Sequence, residues 1–217
     1  YIEYRDLFKR AMAKEVVPEW PIHMDFDVLD SCNLACPNCT ENFRDWTHAT
    51  LDMEWLRNDP FFAKKKLFAA NVGNACEPFL RPDLALELVR FLRANDIIDI
   101  FFHTNGLLLD REMIDQLIES EVTWMSVSID AFSDETFKLT RGKGYQKVVD
   151  NIHLIIERRE ALGKSLPFIR VSSLLLPENY QEAQGFFDYW KKYVDMIEFQ
   201  DYWTANPVGL DRLPYVE

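Results

Sequence analysis

In the stretch Trp124-Met125-Ser126-Val127-Ser128-Ile129-Asp130, apolar and polar side chains alternate from Met125 onward. Successive side chains of a β-strand point to opposite faces, so Ser126, Ser128 and Asp130 lie on one face and Met125, Val127 and Ile129 on the other. Parallel strands that are covered by helices on both faces are usually apolar throughout. The alternation therefore predicts a strand with one face against helices and the other against a polar interior.

The same pattern recurs along the chain. Six runs are typical of strands: 22–29, 67–72, 97–103, 122–130, 168–175 and 196–200. A short amphipathic helix over residues 4–14 precedes them, and helical stripes between the later runs predict a parallel sheet with crossover helices. The first, third, fourth and sixth runs alternate, and solvated edge strands would explain one or two of these but not four. We therefore predict the α/β class, with a curved sheet that forms an open barrel around a polar, ligand-filled interior.

Composition narrows the function classes. Hydrophobic residues make up 48% and charged residues 28% of the 217 residues, as in a folded globular protein. A net charge of −12 disfavours nucleic acid as a partner, and no apolar run is long enough for a membrane span. Four cysteines are too few for a disulfide scaffold, which indicates a reducing, cytoplasmic setting. The first residue is Tyr1 rather than Met, so we expect a trimmed product or a fragment of a longer chain. The charged residues of its opening stretch do not fit the apolar segment of a signal peptide.

The strongest chemical signal is the loop Cys32-Asn33-Leu34-Ala35-Cys36-Pro37-Asn38-Cys39, directly after the first strand. A structural zinc site usually needs a second pair of ligands, and no second Cys or Cys/His pair follows in the sequence. A cubane iron–sulfur cluster is normally held by four thiolates, so three would leave one iron open for chemistry. The spacing favours a reactive cluster held by Cys32, Cys36 and Cys39, with zinc as the alternative.

The Cys-x3-Cys-x2-Cys loop resembles the signature of the radical S-adenosylmethionine (radical SAM) enzymes. Other segments resemble that family's motifs in the same order, although Cys76 stands where the Gly-Glu-Pro motif usually has a second glycine. These segments are Gly73-Asn74-Ala75-Cys76-Glu77-Pro78, His103-Thr104-Asn105-Gly106, Ser128-Ile129-Asp130 and Arg141-Gly142-Lys143-Gly144-Tyr145. The resemblance covers about residues 20 to 205 of the chain.

The resemblance implies a partial (β/α)6 barrel, open on one side. It implies a helical N-terminal extension over 1–20, a radical SAM core over 21–205 and a C-terminal tail over 206–217 that could lead into a further domain. No convincing helical pattern follows the sixth strand, so one edge of the barrel stays open. We expect a further domain, a partner or a second copy of the chain to cover that edge.

The resemblance also implies the cofactors, which are a 4Fe–4S cluster and S-adenosylmethionine (SAM). Cleavage of SAM at the reduced cluster would give a 5′-deoxyadenosyl radical that abstracts hydrogen from a substrate. Glu77 would accept from the amino group of SAM, Arg141 would pair with its carboxylate, and Ser128 would meet its ribose or carboxylate. The full set of implied SAM-binding residues is Asn38, Gly73, Asn74, Glu77, Thr104, Ser128 and Arg141.

Several of these residues have simpler explanations. Glu77 could be an acid at a helix start before Pro78, and Arg141 could be a surface arginine. Cys76 is more typical of a small buried residue than of a fourth cluster ligand. His103 could line the cavity or simply form a hydrogen bond at its strand end.

The motifs identify the substrate less well than the cofactor. The Thr-Asn-Gly turn is similar to that of the peptide- and protein-modifying (SPASM-type, sulfatase-maturase-like) branch. That branch usually continues into a cysteine-rich domain with auxiliary clusters, and this sequence has no further cysteines. We expect a peptide or protein substrate and a flavodoxin or ferredoxin as reductant. A small-molecule or nucleotide substrate and a non-catalytic metal-binding module are the alternatives. Polar interior candidates also suggest a polar substrate: Asp25, Asp27, Ser126, Arg170, Ser172, Glu198 and Gln200.

Overall fold

Six parallel strands form one sheet in which neighbours follow the order of the chain. This computed structural model describes residues 1–39, 45–63 and 67–201. The strands are β1 His23–Phe26, β2 Ala69–Val72, β3 Asp99–Thr104, β4 Trp124–Ser128, β5 Phe168–Leu175 and β6 Met196–Asp201. Because β1 and β6 are the edges, the sheet is an open α/β barrel, which confirms the predicted class. The tail predicted over 206–217 lies outside the described residues.

Eight α-helices accompany these strands in the described part of the chain. They are α1 Ile2–Met12, α2 Met53–Asn58, α3 Pro60–Ala63, α4 Pro82–Ala94, α5 Arg111–Glu119, α6 Asp134–Thr140, α7 Tyr145–Ala161 and α8 Ala183–Trp190. Short 3-10 helices lie at Pro78–Leu80 and Tyr180–Glu182. None of the described helices is both long enough and apolar enough to cross a membrane.

The apolar face of the sheet packs against helices. Met125, Val127 and Ile129 are fully buried, and they share one core with Leu117 of α5 and Ile152 of α7. The alternation in the sequence therefore identifies the helix-covered face of β4 correctly. The opposite face of the sheet carries the polar residues from which the barrel interior is built.

The segment between β1 and β2 contains α2 and α3, which the sequence patterns do not predict. These helices have 6 and 4 residues, too few to show a full apolar stripe. The start of α2 has a local signal, because the Asp52 side chain accepts hydrogen bonds from the backbone N–H groups of Glu54 and Trp55. The sequence patterns therefore fail to predict the β1–β2 crossover because its helices are short, and the topology is still the predicted one.

Helix α1 lies against the N-terminal end of the sheet. Tyr4 is buried and stacks on Phe68, which directly precedes β2, with ring centroids 5.7 Å apart. Stacked rings of this kind add to the hydrophobic contribution of the buried area. The carboxyl ends of the strands lie at the other end of the barrel, where the motif segments follow β1 to β4.

Candidate cofactor site

A cavity of about 310 Å³ lies at the carboxyl ends of the strands and collects most of the predicted site. Its walls include all of the predicted cluster and SAM-binding residues except Asn38. Those residues are Cys32, Cys36, Cys39, Gly73, Asn74, Glu77, Thr104, Ser128 and Arg141. Segments more than a hundred residues apart in the chain therefore meet around one space.

The cysteine loop is shaped by its own backbone. The N–H of Cys39 donates to the carbonyl of Cys36 at 3.0 Å, and the N–H of Leu34 donates to the Cys32 Sγ at 3.4 Å. Asn38 lies in the turn between the second and third cysteines, is half-buried and does not line the cavity. Its predicted contact with SAM stays a prediction.

Two opposing effects act on the pKa values of the cysteine thiols: burial raises them, and a nearby positive charge lowers them. Burial raises the pKa of Cys36 to about 11, and the nearby Arg141 guanidinium opposes that shift. Burial also raises the pKa of Cys32. Thiolates are the ligand form of cysteine, so metal binding here would release protons.

The donor set fits an iron–sulfur cluster. All four cysteines are described, and no disulfide joins them. Within the described residues, no three His, Cys, Asp or Glu side chains are grouped so that they could hold a single metal ion. In a cluster each thiolate binds a different iron, so the sulfurs need only surround one space. Cys32, Cys36 and Cys39 meet that condition because all three line the same cavity.

Glu77 joins the loop after β2 to the end of β3. Its side chain is 1% exposed. Its Oε1 accepts from the Thr104 hydroxyl at 2.8 Å and from the Phe79 N–H at 3.2 Å. Its Oε2 accepts from the Asn105 N–H at 2.7 Å. Burial raises the pKa of Glu77, although these donors oppose the shift. A carboxylate has about four acceptor positions, so one remains for a further donor.

Gly73 permits the tight turn before Glu77. Its φ is +85°, and a Cβ there would lie 2.7 Å from Cδ of Pro78 and 2.9 Å from the carbonyl oxygen of His103. A larger residue would therefore clash as well as strain the backbone. Cys76 is not among the residues with positive φ, which explains why a side chain is tolerated where the family motif has glycine.

The next two residues of this turn are anchored to the loop after β1. The backbone N–H groups of Asn74 and Ala75 donate to Asp27 Oδ1 at 2.8 and 2.9 Å. Asp27 therefore holds the turn at the edge of the cavity. The sequence suggests Asp27 as a polar interior residue that faces the substrate, but the contacts observed for it are structural.

Arg141 and Asp130 form a buried ion pair beside the cavity. Arg141 Nε and Nη2 both lie 2.8 Å from Asp130 Oδ2. Asp130 Oδ1 in turn accepts from the backbone N–H of Leu174 at 2.7 Å. The side chains of Arg141 and Asp130 are 15% and 9% exposed. This contact explains physically why the Ser128-Ile129-Asp130 segment is accompanied by an Arg-Gly segment.

Asn105 is a site residue that sequence reasoning missed. Its Nδ2 donates to Asn33 Oδ1 at 2.7 Å, and its Oδ1 accepts from the Leu107 N–H at 3.0 Å. With its backbone N–H on Glu77, Asn105 ties the cysteine loop to the end of β3. The Thr-Asn-Gly turn was the available signal, since Asn favours turns. Leu34, Trp46, Ala75, Cys76 and His103 also line the cavity.

Comparisons with known proteins identify the family of the chain. Residues 27–189 match the model of the Radical SAM superfamily. GTP 3′,8-cyclase of Clostridium botulinum (strain Hall) is 24% identical over 202 residues, which are 89% of this chain and 59% of the cyclase. Mycofactocin maturase MftC of Mycobacterium ulcerans is 27% identical over 125 residues, 57% of this chain and 33% of that protein.

Solved structures show the same fold. SuiB of Streptococcus suis bound to S-adenosylmethionine superposes with a TM-score of 0.72 at 15% identity, over 94% of this chain and 47% of SuiB. The chain therefore spans about half the length of SuiB and 59% of the cyclase. Because the family model covers most of its length, the chain belongs to the radical SAM superfamily, a family of enzymes that use a 4Fe–4S cluster and S-adenosylmethionine.

Proposed function

We propose that this chain is the cofactor-binding core of a radical SAM enzyme that abstracts hydrogen from a peptide or protein. The observation that carries the proposal is the single cavity shared by the three loop cysteines, Glu77 and Arg141. Support for a peptide comes from SuiB, which has been solved bound to the precursor peptide SuiA, and from the maturase MftC.

Each cavity residue has a role in this proposal. Cys32, Cys36 and Cys39 would hold the cluster, and the cluster and SAM when bound supply one-electron cleavage of a sulfonium bond with hydrogen abstraction as its outcome. Glu77 would accept from the SAM amino group with its remaining acceptor position. Arg141 has N–H groups beyond those on Asp130, and these would bind the SAM carboxylate.

The remaining predicted residues would shape the cofactor pocket. Ser128 lies on the interior face and accepts a hydrogen bond from Ser172 at 3.2 Å, so its hydroxyl proton is left to donate to SAM. Gly73 and Asn74 hold the turn that brings Glu77 to the cavity, and Thr104 fixes one Glu77 oxygen. Asn38 would contact the adenine through its backbone.

Anaerobic reconstitution tests the proposal directly. The protein with iron and sulfide should become brown and bind SAM, and it should release 5′-deoxyadenosine when a reductant is added. Cys36→Ala should abolish colour and release. A colourless protein that binds zinc and cleaves no SAM would instead support the non-catalytic module.

The substrate class needs a second experiment. Candidate precursor peptides would be incubated with the active enzyme and analysed by mass spectrometry for a change in mass or stereochemistry. A small molecule or nucleotide is the second candidate, because a GTP cyclase aligns with 89% of this chain. Turnover of GTP with no change in any peptide would favour that candidate.

The exposed edge supports a further part of the proposal. On β6, Met196 is 43% and Phe199 is 37% exposed. Among the described residues no further strand pairs with the outer edge of β6, and an edge strand of this kind can pair with another chain. We propose that an additional domain, a partner or a second copy covers this edge of the 21–205 core. A flavodoxin or ferredoxin would supply the electron, in a cytoplasmic setting whose reducing conditions keep the thiols available.

A further inference from the structure

Every strand contributes one polar side chain to a connected series of side-chain contacts across the interior of the barrel. We name this set the lumen belt, and it consists of Asp25 (β1), Asn71 (β2), His103 (β3), Ser126 (β4), Arg170 (β5) and Glu198 (β6). The belt borders two cavities. His103 lines the cofactor cavity, while Ser126 and Arg170 line a second cavity of about 270 Å³ towards α1.

The contacts of the belt define the protonation state and the tautomer of His103. Arg170 Nη2 lies 2.8 Å from His103 Nε2, and because arginine can only donate, this nitrogen must accept. The proton of a neutral imidazole is then on Nδ1, which donates to Asn71 Oδ1 at 3.0 Å. Asn71 Nδ2 donates in turn to Asp25 Oδ1 at 3.0 Å. His103 is therefore a neutral acceptor towards Arg170.

Arg170 is held in place by neutral groups. Its Nε donates to the Ser126 hydroxyl at 2.9 Å, and its Nη2 donates to neutral His103. These contacts orient the guanidinium without neutralising its charge. The carboxylate in contact with it is Glu198, whose Oε2 lies 3.1 Å from Arg170 Nη1. Two of the five N–H groups of an arginine remain after these three contacts.

Glu198 is the less firmly held member of this pair. It belongs to the edge strand β6, and its side chain is 34% exposed, compared with 21% for Arg170. The Oε2 atom of Glu198 also accepts a hydrogen bond from Gln200 Nε2 at 2.9 Å. An ion pair with a half-buried partner on an edge strand contributes little to stability, so replacing that partner costs little.

The position of Arg170 is suited to a substrate. Arg170 precedes Ser172 by two residues on β5, and the Ser172 hydroxyl donates to Ser128 in the cofactor cavity. A strand rises about 3.3 Å per residue, so Arg170 lies roughly 7 Å deeper in the barrel than the cofactor wall. Arg170 also lines the second cavity, on the α1 side of the belt.

We propose that Arg170 is a specificity-determining residue that binds a substrate carboxylate, such as an Asp or Glu side chain of a peptide, in place of Glu198. The inference rests on the proposed function and adds the substrate class. Arginine suits this role because its planar guanidinium can bind a carboxylate through two parallel hydrogen bonds.

The test measures binding of small probes to the full, reconstituted chain by calorimetry. The probes are N-acetylglutamate α-amide, the matching neutral glutamine amide, N-acetyllysine amide and inorganic phosphate. The carboxylate probe should bind about tenfold more tightly than the neutral amide. Glu198→Gln should tighten carboxylate binding several-fold, because it removes the competing anion.

Substitutions at Arg170 distinguish recognition from folding. Arg170→Gln should abolish the preference for the carboxylate, and Arg170→Lys should retain part of it because the charge remains. Glu178→Gln is the matched control, since Glu178 is exposed and outside the belt, and it should change nothing.

Three results would overturn the inference. The first is equal binding of the carboxylate and amide probes. The second is a preference for the lysine probe that is lost in Glu198→Gln. The third is tighter binding of phosphate than of the carboxylate probe. Release of 5′-deoxyadenosine by the same preparation is measured separately. An active enzyme without probe discrimination would refute the carboxylate site alone, and probe discrimination without SAM cleavage would refute the proposed function.

Discussion

Two arginine–carboxylate pairs lie in the barrel interior, and they are held in different ways. At the cofactor cavity, Arg141 pairs with Asp130, whose second oxygen is fixed by the Leu174 N–H. Deeper in the barrel, Arg170 is fixed by neutral partners and pairs with Glu198 on the exposed edge strand. An anchored carboxylate makes a structural pair, whereas a carboxylate on an open edge can be exchanged for a ligand.

Substitution of Cys36 should have the largest effect, because it should abolish iron binding at the cofactor cavity and leave the lumen belt unchanged. Cys36→Ala takes one of three thiolates from the cofactor region, so iron content and brown colour should fall to background. The lumen belt does not include Cys36 and should stay intact, with unchanged circular dichroism. Cys76→Ala is the matched control and should retain its iron. Iron retained by Cys36→Ala would show that the loop does not hold the cluster.

Breaking the two ion pairs should give unequal losses of stability. Asp130→Ala leaves Arg141 buried without its carboxylate and the Leu174 N–H without its acceptor, so the free energy of unfolding should fall by about 3 kcal/mol or more. Glu198→Ala should cost about 1 kcal/mol or less. Urea denaturation of the cluster-free protein measures both. Equal losses would contradict the distinction between an anchored and an exchangeable carboxylate.

SAM affinity should depend on one arginine and not on the other. Arg141→Gln removes a charge from the cofactor cavity and should weaken SAM binding about tenfold, the loss of one charge-assisted hydrogen bond. Arg170→Gln should change SAM affinity less than about twofold, as should Arg111→Gln on the exposed surface. Equilibrium dialysis of the reconstituted protein provides the measurement. Comparable losses at Arg141 and Arg170 would mean that SAM reaches the belt.

The smallest expected effect is a pH dependence that arises in the belt. Burial lowers the pKa of His103 from its ordinary value of 6.5, and the charge of Arg170 lowers it further. Below pH 6.5 the unfolded chain therefore binds more protons at His103 than the folded protein does, so stability falls as the pH decreases. The Tm of the wild type should fall more between about pH 7.5 and about pH 5.5 than that of His103→Gln. Parallel Tm curves would contradict a neutral His103.

The sequence predicts the fold well where local pattern decides it. The alternation over Trp124–Asp130 reflects a physical requirement, because one face must be apolar and the other polar, and the structure bears this out. Helices α2 and α3 escape detection because they are too short for a periodic stripe. Strand ends are also shorter than predicted, as for β1, whose ladder covers only His23–Phe26.

The sequence predicts the site residues that belong to a motif. It does not predict residues whose role depends on contacts with side chains far away in the chain. The three cysteines and Glu77 belong to segments with fixed spacing. The roles of Asn105 and Asp130 depend on contacts with residues far away in the chain, such as Asn33 and Leu174. Asn71 in the belt is hidden for a further reason, because its strand contains only apolar neighbours.

The strand order has a consequence for synthesis. Because each strand pairs with the one made just before it, the sheet can grow as the chain leaves the ribosome, without waiting for distant segments. The cysteine loop and the ends of β2 to β4 are translated well before β6. A nascent chain could thus assemble its metal-binding end while the edge that carries Glu198 is still inside the exit tunnel.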